Sequence, residues 1–140
     1  MKLVDANVLL YAVNRDTAHH EVCRDWLQRA LTGPETIGLP WTTLLAFVRI
    51  STHPLVFASP LTTDQACEVM TTWLDQPAAV TVEPTSRHAA LLADLLRQAG
   101  TAGNLTTDAH LAALALEHNA DVVTMDRDLA RFQVRVVVPS

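Results

Sequence analysis

Short β-branched runs alternate with longer stretches of helical period along this chain, and that alternation restricts the fold more than any other feature. "KLVD", "TIGLP", "AAVTVEP", "ADVVTM" and "VRVVVP" read as strands. Between them lie the helical patterns "NVLLYAVN", "HHEVCRDWLQRAL", "WTTLLAFVRIST", "LTTDQACEVMTTWLDQ", "SRHAALLADLLRQAG" and "TTDAHLAALALEHN", with "DRDLARF" a short helix before the last strand. In the second of these, Val22, Trp26, Leu27 and Ala30 share one face. Gly33 with Pro34, Pro54, Pro77 and Gly100 mark the breaks. A helical crossover returns the chain to the same end of the sheet, so the pairing is parallel. "DVVTM" and "VRVVV" are near-continuous apolar runs, as expected of strands covered on both faces. The expected architecture is α/β: a three-layer α/β/α sandwich with a mainly parallel sheet, in one domain over residues 1–140. Helix pairs between some strands leave the strand order open.

Hydrophobic residues at 49% and charged residues at 18% supply a core and argue against disorder. Runs such as "LLAF" and "AALALE" are too short to span a bilayer. Asp5 and Asn7 interrupt any signal-like segment after Lys2. Cys23 and Cys67 stand alone, without a CxxC pair or a dense framework. These features predict a soluble cytoplasmic protein with reduced thiols and no membrane association. The net charge of -5 excludes a generic nucleic-acid coat protein. It leaves room for a nuclease, which needs only a local cationic path. Lys2 is the only lysine among ten cationic residues, and the guanidinium forks of the rest suit phosphate oxygens.

In parallel sheets, ligands gather beyond the carboxyl ends of the strands. Asp5 follows "KLV", and Asp126 follows "VVTM" with Asp128 two residues on. Asp108, in "GNLTTDAH", opens the helix that precedes the Asp126 strand. Each alone can be a helix cap. If the Asp5 and Asp126 strands lie side by side, the carboxylates share an edge. Two unit charges about 5 Å apart then repel by roughly 3 kcal/mol at an effective dielectric near 20. Protonation or a cation relieves that cost, and Mg²⁺ or Mn²⁺ is a hard ion content with few carboxylates plus waters. Such an ion can acidify a water and shield a scissile phosphate.

Other residues attract blander readings. His19, His20, His53, His88, His110 and His118 match no zinc spacing and read as scattered surface residues, with His110 near the cleft. Cys23 and Cys67 read as buried structural thiols. Trp26, Trp41 and Trp73 sit at amphipathic helix positions and read as core or dimer packing rather than base-stacking platforms. Arg49, Arg87, Arg127 and Arg131 are candidates to grip RNA phosphates, Arg49 and Arg127 foremost, against simple solvation.

"LVDANVLLYAV" at the start and "TDAHLAALALEHNADVVTMDRDLARF" near the end resemble a PIN domain, and the likeness is nearest to the VapC-type toxins of VapBC toxin–antitoxin modules. It covers essentially the whole chain. The resemblance implies a Mg²⁺-dependent endoribonuclease that cuts structured RNA in exposed loops, often in tRNA or rRNA. It also implies a homodimer held inactive by a VapB-type antitoxin across the acidic cleft. Asp5, Asp108 and Asp126 fall on the family's first, third and fourth acids, and Asn7 and Thr124 on neighbouring polar positions. Many PIN domains carry a glutamate on the helix after the second strand; here the equivalent position is Ala46. One metal is therefore expected, with Asp5 and Asp108 as direct ligands, Asp126 direct or through water, and Asp128 in reserve. The missing glutamate keeps a catalytically silent PIN module, binding RNA or antitoxin, as the alternative. A receiver-like phosphoacceptor fits poorly, because the middle strands end without Asp and no late lysine exists. A haloacid-type phosphatase would want Asp in place of Asn7.

Overall fold

The computed structural model describes residues 1–140. Five strands, β1 (Lys2–Val4), β2 (Ile37–Gly38), β3 (Ala79–Val80), β4 (Asp121–Val123) and β5 (Val136–Val137), form one sheet in the order β3-β2-β1-β4-β5. Every neighbouring pair is parallel. The connections are α1 (Ala6–Val13), α2 (His20–Leu31), α3 (Trp41–Ser51), α4 (Thr63–Leu74), α5 (His88–Ala99) and α6 (Thr106–Glu117), with 3-10 turns at Gly103–Leu105 and Arg127–Phe132. The architecture is the expected three-layer sandwich, and the strand order that sequence left open puts β1 at the centre.

Side chains of successive strand residues point to opposite faces, and the core divides accordingly. Leu3 and Val122 pack with Leu111, Leu114, Leu129 and Phe132 beneath α5 and α6. Val4 and Val123 pack with Val8, Leu27, Leu44 and Phe47 beneath α1 to α4. Each such side chain stabilises the fold by roughly 1.5–3 kcal/mol through burial. Gly38 is required by close approach: a Cβ there would lie 2.3 Å from Leu3 Cδ2 and 2.7 Å from Val82 Cγ2. At the helix ends, Thr62 caps α4 in a reciprocal box with Gln65. Gly100 closes α5 in the left-handed conformation at φ 77°.

Some expectations are corrected. "DRDLARF" is a 3-10 helix, because the Asp126 side chain caps its start and left-handed Gln133 ends it after six residues. Of the tryptophans expected at core or dimer-packing positions, Trp26 and Trp73 lie half-buried on the core, while Trp41 opens α3 and is 41% exposed. Cys23 is buried and its thiol is pushed up to about 11 by burial; Cys67 is only half-buried. No helix is long and apolar enough to cross a membrane.

Candidate active site

The strand order reverses between β1 and β4, since β2 and β3 extend to one side and β4 and β5 to the other. Such a switch point opens a crevice at the carboxyl edge. Asp5 leaves β1 there, and its N–H bonds the Val123 carbonyl at 2.9 Å, so the β1 and β4 strands run out of the sheet side by side. The Asp5 carboxylate accepts from Ala6 N at 2.7 Å, Thr124 Oγ1 at 2.8 Å and Asn7 Nδ2 at 3.2 Å. The fully buried Thr124 hydroxyl also accepts from Asn7 Nδ2 at 2.9 Å and Asp126 N at 3.0 Å. Asn7 Oδ1 in turn accepts from Met125 N at 3.1 Å. Asp5 is therefore both the cap of α1 and an acid locked in orientation across the two strands.

Asp108 stands in the first turn of α6. Burial holds its carboxyl above the ordinary carboxylate range, the charges of Asp5 and Asp126 push it further, and Arg131 opposes them. Burial also raises Asp5, against its hydrogen bonds from Thr124 and Ala6 and with a further push from Asp126. Asp5 is raised in part by the charge of Asp126, and Asp108 by those of Asp5 and Asp126, which puts the three acids on one edge. They do not close into a cage: no three His, Cys, Asp or Glu side chains converge on a point where a metal would sit. Asp126 is exposed, and its carboxylate accepts from Asp128 N at 2.9 Å. Asp128 points to solvent beside Arg131, 3.9 Å away.

The cations divide. Arg127 follows Asp126 directly and is exposed at this edge. Arg131 acts on Asp108. Arg49 sits in the last turn of α3, roughly 12 Å along the axis from the start of that helix. Arg87 precedes α5, whose first residue meets the far end of α6. Five surface cavities are lined by residues other than these acids, of which Asp5 and Asp108 are half-buried and Asp126 is exposed.

Sequence reasoning missed a second polar cluster. His88 and His110 are not scattered surface residues; they meet each other and Glu117 between α5 and α6. The available signal was the seven-residue spacing of His110 and Glu117, two turns apart on one helix face.

The fold and edge define a class that the comparisons bear out: residues 2–134 match the PIN domain, and the chain belongs to the PIN-domain family. Its relatives narrow this further. The chain is 50% identical to Ribonuclease VapC37 of Mycobacterium tuberculosis, over 95% of this chain and 92% of that one. It is 39% identical to Ribonuclease VapC33 of Mycobacterium tuberculosis, over 94% and 92%. It falls among the VapC ribonucleases. The solved complex of VapBC2 from Rickettsia felis with a promoter DNA fragment contains a chain of the same fold, with TM-score 0.73 and 17% identity over 99% of this chain and 98% of that one.

Proposed function

We propose that the protein is a divalent-metal-dependent endoribonuclease and the toxin of a type II toxin–antitoxin pair, using Mg²⁺, with Mn²⁺ able to replace it. The observation that supports this reading is the charge coupling of Asp5, Asp108 and Asp126 around the switch point of the sheet. The donor set is entirely oxygen, which suits a hard ion. The open arrangement suits Mg²⁺, which keeps several waters and binds through one or two carboxylates. Asp5 and Asp108 would hold the ion, with Asp126 direct or through water. When bound, the ion supplies an acidified water and charge shielding at the scissile phosphate.

The protein's own residues do the rest. Asn7 and Thr124 fix the Asp5 carboxylate, while Arg127 and Arg131 grip flanking phosphates. With Asp126 and Arg127 exposed at the edge, the substrate is an RNA polymer, cut in exposed loops of tRNA or rRNA. The ribonuclease names of relatives at 50% and 39% identity support the reaction. The VapBC complex of like fold supports a VapB-type antitoxin as partner. Exposed Trp41, Leu45, Leu55 and Val56 are compatible with a protein-covered surface in a homodimer or complex. We read residues 1–140 as one catalytic unit acting in the cytoplasm, where such RNA resides.

The test is incubation of a tRNA and rRNA panel with Mg²⁺, Mn²⁺ or chelator, comparing the wild type with Asp5→Asn. Discrete fragments are expected with either metal, and none with chelator or the variant. An intact panel under every condition would instead favour the silent binding module, for which Ala46 and the absence of any acid on α3 are the observation.

A further inference from the structure

Glu117, His88 and His110 form a continuous polar chain on the flank of α6 away from the acids. The Glu117 side chain has no exposed surface and that of His88 only 12%. Glu117 accepts from His88 Nδ1 at 2.6 Å, from Thr85 N at 3.0 Å and from the Thr85 hydroxyl. His88 Nε2 lies 2.8 Å from His110 Nδ1, so the two rings share one proton between them. His110 and Glu117 are about 10 Å apart along α6, and His88 alone bonds both.

Two features make this chain matter for the position of α6. The buried face of the helix is largely alanine, with Ala109, Ala112, Ala113 and Ala115 among its covered positions. Only Leu111 and Leu114 on that face are large enough to interlock with the core, so packing fixes the rotation and height of the helix less tightly than a face of large side chains would. The first turn, which carries Asp108, has no side-chain cap and follows Gly103 at φ 50°. Besides the bond of the capping His118 to the Glu83 carbonyl at 2.9 Å, the hydrogen-bonded chain is the directional side-chain contact that holds α6. Asp108 precedes His110 by two residues, about 200° round the helix, so gripping one flank sets the other.

We propose that His88 and Glu117 are positioning residues: by holding α6 at His110 and Glu117, they set where the Asp108 carboxylate stands relative to Asp5. The proposed consequence for RNA cleavage rests on the ribonuclease reading; the placement of Asp108 does not.

The experiment compares wild type with His88→Leu/Glu117→Met, which removes both polar partners together and leaves no orphan carboxylate. Asp108→Asn is then made in each background and melting is followed at pH 7.5 without metal. Relief of repulsion from Asp5 and Asp126 should raise the wild-type Tm by on the order of 3 °C, and the latchless Tm by less than half as much. Equal gains in both, or no gain in either, overturn the proposal. Should the double variant not fold, His88→Ala takes its place. His88→Gln, which keeps one donor and one acceptor, should restore the wild-type gain, and its failure to do so counts against the proposal.

In RNA cleavage, the latchless protein should need about tenfold more metal for half-maximal rate, with KM for RNA unchanged. A rate loss that only tracks the unfolded fraction overturns the positioning role. If the wild type cleaves no RNA, the ribonuclease reading fails, while the melting comparison still judges the latch.

Discussion

The two flanks of α6 treat carboxylates in opposite ways. Asp108 faces other acids, and burial with their charges raises it. Burial would raise Glu117 too, but hydrogen bonds from Thr85 and His88 outweigh it and hold the carboxyl below its ordinary range. One helix thus carries a satisfied charge that stabilises the fold and an unsatisfied one that weakens it until a cation or proton arrives. The lesson is that residue type and burial do not separate a structural acid from a functional one. The partners do.

The sharpest way to break this contrast is to remove each acid in turn. Asp5→Asn should lower single-turnover RNA cleavage at least ~100-fold, about 2.7 kcal/mol of barrier, while leaving the metal-free Tm unchanged or higher. Glu117→Ala should do the reverse. Orphaned donors on Thr85 and His88 cost about 2–3 kcal/mol, lowering Tm by roughly 6–9 °C in calorimetry, while cleavage falls only about tenfold. If Asp5→Asn melted like Glu117→Ala, the distinction would collapse.

Metal addition sharpens it. At tenfold excess over Kd, Mg²⁺ or Mn²⁺ should stabilise the wild type by about 1.4 kcal/mol, or about 4 °C. At that same metal concentration Glu117→Ala, with Kd raised about tenfold, should keep only about 0.4 kcal/mol of that gain and Asp5→Asn should lose it all, as read by differential scanning fluorimetry.

The smallest effect is the dependence of metal-free stability on pH, and it has opposite signs at the two flanks. Asp5 and Asp108 are raised in the folded state, so their contribution is full below the ordinary value of 3.8 and is lost as pH rises through their folded values. Glu117 is lowered, so its contribution is present above its ordinary 4.5 and is lost as pH falls through its folded value. In Tm against pH, the advantage of Asp5→Asn/Asp108→Asn over wild type should therefore grow as pH rises above 4. The penalty of Glu117→Gln should shrink as pH falls below 4.5.

Much of this was readable from residue order. The runs "KLV" and "VVTM" marked Asp5 and Asp126 as edge acids, and helical patterns placed all six α-helices. The adjacency of β1 and β4 was not readable, because parallel strands joined by helix pairs can be threaded in several orders. Asn7 and Thr124 could be named, but their shared bonds to Asp5 depend on that adjacency. His88 and His110 escaped because they lie 22 residues apart on separate helices, and metal spacing is the wrong template for a latch. Trp41 could be placed on α3 but not assigned to core or to dimer packing, because an apolar pattern counts turns of helix and does not say which turn is covered.

Thr124 and Asp5, which share a hydrogen bond, are 119 residues apart in sequence. During synthesis, the strand bearing Asp5 leaves the ribosome long before β4 exists to lie beside it. A nascent or prematurely ended chain holds only one side of the acidic edge. On the proposed ribonuclease reading, a site completed only by β4 is missing from every copy of the chain that stops short of that strand.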